Sequence, residues 1–260
     1  QKEDGGEFMV ETTGFRGQWG ITQDDIGNIY ASGNTKPWIG EQIAYEYLIE
    51  TGLIHDDLFS FQPHLEENFK EVWPIVGTTD AQGGPGLLRK EDNTLKTFTA
   101  AGGQTIFRGN KLGENMIGQY FIPEPVGRLV RRSIITEENG YRKLINPLKS
   151  LKKEFIASTD PNFRPVNTFT GPDGCLYIID MYRGIIQESN WVRPGSYLYE
   201  EILRKKLHKN VQRGRIYRIS KDGIKPDNIP KFDSFSNDQL INALAHPNGW
   251  GRDEAQKRLV

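Results

Sequence analysis

Apolar positions along this chain come in short runs separated by Gly, Asp, Asn and Pro, and three stretches share one plan. Residues 15–34 read FRGQWGITQDDIGNIYASGN, residues 102–132 read GGQTIFRGNKLGENMIGQYFIPEPVGRLVRR, and residues 163–186 read FRPVNTFTGPDGCLYIIDMYRGII. In each, an apolar strand follows a polar or Gly-rich lead-in. A turn carrying Gly, Asp or Asn reverses the chain. A second strand follows with an aromatic near its start: Ile29-Tyr30, Tyr120-Phe121, Leu176-Tyr177. Two units continue into a third strand, over 127–132 and 214–220, where apolar residues alternate with polar ones.

Repeated antiparallel units of this size predict an all-β fold, a partial β-propeller of about three blades out of six. Each blade hides a sheet face against the next, which accounts for apolar residues on both strand faces. A β-sandwich of unrelated hairpins is the competing reading. The propeller part spans 1–222, with insertions at 38–72, long, acidic and partly helical, and at 187–212, where YLYEEILRKKLHKNV reads as a solvated helix. Residues 223–236 read as a linker broken by Pro226 and Pro230. Residues 237–260 read as two short helices around a His-Pro-Asn-Gly turn. Their apolar stripes are Leu240, Ile241, Leu244 and Ala245, then Ala255 and Leu259. This resembles the start of a HEAT-like repeat.

Composition narrows the function classes. The 28 glycines and 14 prolines suit a turn-rich β protein, and the net charge of −1 gives no sign of nucleic acid as a partner. No apolar run reaches the ~20 residues of a membrane helix. Cys175 is the single cysteine, so no disulfide forms within the chain, and a C-x-x-C-H haem attachment is absent. GGPG at 83–86 neither follows a clear strand nor opens a helix, which argues against a nucleotide cofactor. The chain begins without Met and stops inside a predicted helix, and it reads as part of a longer protein.

Two antiparallel strands of similar length return to the end where they began. Residues just before the first strand and just after the second therefore share one end of a blade. Those positions are Arg16, Trp19 and Asn34; Gly103, Gln104 and Glu124; and Asn162, Arg164, Asp180, Tyr182 and Arg183. Arg offers forked donors to carboxylate, phosphate or quinone oxygens, and Asp and Glu accept from hydroxyls or ligate Ca²⁺. Asp160, Asn162 and Asp180 are the oxygen donors that a Ca²⁺ site would draw on. Structural readings stand beside these: a salt bridge between Arg164 and Asp180, a backbone acceptor role for Glu124, a turn cap for Asp180 and core packing for Trp19. Arg108, at the opposite end with the turns QDDIGN, RGNKLGEN and GPDG, reads as a surface residue. The residues offer no evident general base.

The stretches GFRGQWGITQDDIGNIYAS, GGQTIFRGNKLGENMIGQYFIPEP and FRPVNTFTGPDGCLYIID are similar to segments of soluble quinoprotein glucose/sorbosone dehydrogenases. VWPI, TFTAAGG, FIASTDPNFRPVN, DMYRGII, RGRIYRIS and AHPNGWGRDEAQKRLV resemble, in order, large bacterial membrane-bound dehydrogenase-like proteins that join a propeller to HEAT-like repeats and often to a c-type cytochrome. The resemblance implies a periplasmic or cell-surface protein that oxidises a sugar or alcohol through pyrroloquinoline quinone with Ca²⁺. Electrons would pass to a haem domain, in the same or a partner protein, outside this chain. It implies Arg16 and Arg164 as cofactor-holding residues. The others named at that end, Trp19, Asn34, Gln104, Glu124, Asn162, Asp180, Tyr182 and Arg183, would hold substrate. Gly17 stands where those enzymes carry Asn, and none of His55, His64, His208 and His246 lies in a matching motif. A non-catalytic propeller that binds a glycan or a protein partner is the alternative.

Overall fold

The computed structural model describes residues 19–40, 64–138, 141–186 and 192–260. Three sheets, antiparallel except where the two-residue β4 pairs with β8, follow one another along the chain. The first holds β1 (Ile21–Gln23), β2 (Ile29–Gly33) and β3 (Lys36–Gly40). The second is built on β5 (Thr105–Ile106), β6 (Tyr120–Glu124) and β7 (Leu129–Glu138). It is extended by β8 (Tyr141–Ile145) and by the two-residue strands β4 (His64–Leu65) and β9 (Ile156–Ala157). The third holds β10 (Pro165–Thr170), β11 (Leu176–Asp180) and β12 (Arg215–Ile219). Helix α1 (Tyr197–Lys205) lies between β11 and β12, and α2 (Asn237–Ala243) and α3 (Gly249–Leu259) close the chain.

The three hairpins predicted from the repeat are present, each second strand starting at its named aromatic pair, and the third strands are β7 and β12. The insertion at 38–72 needs correction. The first unit also has a third strand, β3, which carries the fully buried Trp38. The described residues 64–72 form β4 and turns, with no helix; residues 41–63 of that insertion lie outside the described residues. The pattern also concealed the length of β7, which runs on past Arg132 and pairs with β8.

Side-chain alternation explains why the sheets lie face to face. On β6, Tyr120 and Ile122 face one core with Tyr30, Trp38, Ile106, Leu129 and Leu144, while Phe121 faces a second with Phe107, Val130, Leu176 and Ile178. The middle sheet is thus buried on both faces, and all five β6 residues are buried. Each large side chain so placed contributes about 1.5–3 kcal/mol. Where β5 and β10 approach, Gly103 N–H donates to Val166 O at 2.8 Å and Thr168 N–H donates back to Gly103 O at 2.9 Å. A Cβ on Gly103 would stand 2.5 Å from the Asn167 side chain, so the strand lead-ins meet only because that position is Gly.

The solvated-helix reading of 197–211 is also revised. Leu198 and Ile202 of α1 pack on Ile185 and Leu207 in a small core of their own. Ser196 caps the helix by accepting Tyr199 N–H. At the C-terminus, α2 starts on a Ser236–Gln239 capping box, and Leu240, Ala243 and Ala255 enclose Phe232. The second half of the expected linker therefore belongs to the helical pair. Ile241, Leu244 and Leu259 of the expected stripes are exposed.

Candidate functional site at one end of the sheets

The ends of β2 and β6 are stitched together by the segment 99–103, and Arg164 carries the connection on to the end of β11. Ala101 N–H donates to Asn34 O at 2.8 Å, and Gly102 N–H to Pro123 O at 2.9 Å. Thr99 and Ala100 N–H groups donate to Glu124 Oε2 at 2.8 and 2.9 Å. Arg164 Nη1 then reaches Pro125 O at 3.1 Å, and Arg164 N–H reaches Asp180 Oδ1 at 2.8 Å. Asn34, Gln104, Glu124, Arg164, Asp180 and Tyr182 thus lie along one connected end, as antiparallel geometry predicts.

Most of these side chains are committed to the protein itself. Gln104 is buried, accepts from Ser32 Oγ at 2.7 Å and donates to Gly20 O and Tyr30 O at 3.0 and 2.8 Å. Glu124 is wholly buried and takes three backbone N–H groups, from Thr99, Ala100 and Val126. Burial nonetheless pushes its carboxyl up to about 7. Asn162 closes a turn on Asp160, its N–H 2.9 Å from Asp160 Oδ1.

Arg164 does not pair its guanidinium with Asp180. That carboxylate takes the Arg164 and Tyr182 backbone N–H groups instead, while its buried Oδ2 has no hydrogen-bond partner among the described residues. The Arg164 guanidinium donates to Arg183 O at 3.1 Å, Pro125 O at 3.1 Å, Gly184 O at 2.9 Å, and Asp80. Asp80 also binds Arg128 Nη2 at 2.5 Å, and Arg128 Nη1 holds Gly77 O at 3.2 Å. Lys205 of α1 stands 3.5 Å from Asp80 and donates to Thr79 Oγ1 at 2.5 Å, while Thr79 donates to Glu201 at 2.7 Å. One carboxylate thus gathers three cations from three separate parts of the chain. They hold Asp80 far below the ordinary carboxylate range despite its burial.

Asp80, Arg128, Lys205 and Glu201 were missed by sequence reasoning. Arg128 stands in the second repeated unit, but Asp80, Lys205 and Glu201 lie outside the hairpins, and the only local sign of the seam was an acidic residue in the Gly-rich TTDAQGGPG. A second buried pair, Arg131 with Glu154, was missed because Glu154 lies outside those units, 23 residues further on. Arg131 sits over the Phe69 and Phe98 rings at 5.3 and 5.0 Å.

The accessible part of this end is smaller. Trp19 is not in the core: it is 53% exposed, its Nε1 donating to Asn34 Oδ1 at 2.6 Å. Tyr182 adopts φ 44°, unusual for a bulky residue, and is pinned by its N–H on Asp180 at 2.7 Å and by Asn210 Nδ2 on its carbonyl at 2.8 Å. The Arg215 guanidinium lies 3.4 Å over the Tyr182 ring, and the nearby Asp160 carboxylate raises the Tyr182 hydroxyl above its ordinary value. Arg16 and His55 lie outside the described residues. His208 is exposed, and His246 accepts Asn248 N–H at 3.0 Å.

These residues do not fit the quinone and Ca²⁺ that the resemblance implies. The Arg164 donors already face protein oxygens, and no group of three His, Cys, Asp or Glu side chains suited to a metal occurs among the described residues. Asp160 and Asn162 are joined in their own turn.

The opposite end carries another junction. Arg108, expected on the surface, has a side chain only 12% exposed. It makes a bidentate pair with Asp253 of α3 at 2.7 and 3.0 Å and binds Asp25 of the first hairpin turn at 2.6 Å. Asn248 caps α3 through Trp250 N–H at 3.1 Å and donates to Gly171 O of the GPDG turn at 2.9 Å. The turns at this end thus form the seat of the helical pair.

Side-by-side antiparallel sheets with a buried charged seam at one end and a docked helical pair at the other define a β-rich protein with a helical C-terminus. Over residues 1–223 the chain matches, and belongs to, the family described as a domain of unknown function, DUF7133. No curated protein and no solved structure matches it. No helix among the described residues is long and apolar enough to cross a membrane.

Proposed function

We propose that the chain is the C-terminal part of a six-bladed β-propeller, entering a HEAT-like repeat, that holds a sugar or related alcohol at the end carrying Trp19, Asn34, Asp160 and Tyr182. The supporting observation is the continuous connection from Asn34 through Glu124 to Asp180, which leaves a rim of aromatic, amide and carboxylate groups above a rigid seam. Aromatic faces and carboxylate acceptors suit polyhydroxy ligands. By its resemblance the protein is a periplasmic or cell-surface dehydrogenase that passes electrons toward a c-type cytochrome. In this reading the described residues hold substrate and contribute neither quinone ligands nor a base.

The second reading, a non-catalytic glycan- or protein-binding propeller, is favoured by the commitment of Arg164, Gln104 and Glu124 to protein partners. Calorimetry over a panel of sugars and alcohols, paired with dye reduction in the presence of pyrroloquinoline quinone and Ca²⁺, separates the two. Binding that disappears in Tyr182→Ala, with dye reduction, is expected from the first. Binding without reduction selects the second, and no binding of any sugar or alcohol sinks the proposed site.

A further inference from the structure

The charge of −1 conceals a strongly uneven distribution. From Ile202 to Lys221 the sequence ILRKKLHKNVQRGRIYRISK contains eight Lys and Arg and no Asp or Glu. Some of these cations are neutralised within the fold: Arg204 by Glu201, Lys205 by Asp80 and Glu201, and Arg218 by Asp173. Lys206, Lys209 and Arg213 are exposed and form no ion pair among the described residues.

Backbone geometry holds this stretch beside the rim. Lys206 and Gln212 both take left-handed conformations, φ 56° and 60°, which fold the segment tightly after α1. Leu207 packs directly on Gly184, where a Cβ would come within 2.7 Å of the Leu207 Cα. Asn210 holds the Tyr182 carbonyl, and Arg215, directly across from Asp180 in the β11–β12 pairing, lays its guanidinium on the Tyr182 ring. The exposed cations therefore run up to the aromatic and carboxylate groups of the rim. Arg215 is itself exposed there, with Nη1 3.5 Å from the Tyr217 hydroxyl.

We infer that this strip, with Tyr182, binds an anionic glycan, a polysaccharide bearing carboxylate or sulfate groups. The inference rests on the reading of the rim as a sugar site and names the class of sugar. Forked guanidinium and ammonium donors take carboxylate or sulfate oxygens, while Tyr182 and Asp160 take the ring face and hydroxyls. A neutral glycan would leave the cations without partners, and a plain polyanion would leave Tyr182 and Asp160 without a role.

Affinity electrophoresis and calorimetry of the whole chain test this with polygalacturonate, dextran sulfate, unmodified dextran and a DNA duplex, at low and high salt. The wild type is expected to bind polygalacturonate or dextran sulfate, whichever anionic group fits. Dextran should not bind, and raised salt should weaken binding. The triple variant Lys206→Gln/Lys209→Gln/Arg213→Gln should weaken binding about tenfold or more. Removing three exposed charges elsewhere, at Lys70, Lys90 and Lys153, should leave it unchanged, which also controls for net charge. Tyr182→Ala should weaken glycan binding while circular dichroism stays native. Failure of both anionic glycans to bind, or equal loss in the two triple variants, overturns the inference, as does DNA binding as tight as glycan binding. If the strip variant loses binding but Tyr182→Ala does not, the strip holds a polyanion away from the rim and the glycan assignment falls. None of these readouts depends on oxidation, so absence of dye reduction leaves the test standing.

Discussion

The two ends of the sheets use the same charged residue types in opposite ways. At one end Asp80, Arg128 and Arg164 are almost fully buried, with side-chain exposures of 1–3%, and they join parts of the chain far apart in sequence. At the other end Arg108, Asp25 and Asp253 form a junction whose acids are 49% and 32% exposed. Charges removed from water need complete partners, and breaking one leaves the rest uncompensated. Charges still wetted are screened and are worth far less. The first end should therefore decide whether the sheets stay together, and the second only whether the helical pair stays docked.

Removing Asp80 is the strongest way to break that comparison. Asp80→Ala leaves Arg128 and Arg164 buried without their shared carboxylate and should cost about 3–5 kcal/mol in urea unfolding. A cost below about 1 kcal/mol would mean that water already reaches the seam, and the contrast between the ends would collapse.

Acidity probes the same end. Asp80 is held below its unfolded value, so its contribution is present above about pH 4 and is lost as the pH falls. Glu124 has the opposite sign. Burial raises its folded value to about 7, so the folded chain keeps a proton that the unfolded chain releases above about pH 4.5. Stability should fall by about 3 kcal/mol between pH 4.5 and 7 from this group, and Glu124→Gln should flatten that slope even if it lowers stability throughout. The three N–H groups on Glu124 pull the other way. A wild-type curve already flat over that range would show that they outweigh burial.

How far these features could be read in advance follows from what fixes them. Each hairpin is set by neighbours in sequence, through alternation, a turn residue and an aromatic at the second strand, so Ile29-Tyr30, Tyr120-Phe121 and Leu176-Tyr177 located β2, β6 and β11. Chain reversal also placed Arg164 and Asp180 at a common end. The guanidinium's partner was not local: Asp80 lies 84 residues before Arg164, in a segment with no strand pattern. Arg108 looked like surface because its partner Asp253 lies 145 residues away. Trp38 was assigned to an insertion because β3, with Pro37 and Gly40, lacks the alternation of β7 and β12. Strand positions are written in local pattern; the pairing of buried charges is written in the assembled packing.

At the opposite end the expected effects are smaller and local. Arg108→Ala removes a bidentate pair and a single ion pair, all partly wetted, and should cost about 1–2 kcal/mol. Hydrogen exchange should speed up in α2 and α3 while β6 and β11 stay protected. Asn248→Ala should give the same pattern, since it removes both the α3 cap and the bond to Gly171. Faster exchange in β6 would show that this junction also holds the sheets, which the comparison denies.

The smallest effect concerns Tyr182, where the seam meets the exposed rim. Its left-handed backbone is imposed by Asp180 below and Asn210 beside it. Tyr182→Ala and Tyr182→Gly remove the same ring contact with Arg215, so their difference isolates the backbone. Glycine visits this conformation without the steric cost that an L side chain bears, and Tyr182→Gly should be more stable than Tyr182→Ala by about 1 kcal/mol. If Ala were the more stable, the Asp180 and Asn210 bonds would not be enforcing the turn, and Tyr182 would belong to a relaxed surface loop instead of a strained edge held by the buried seam.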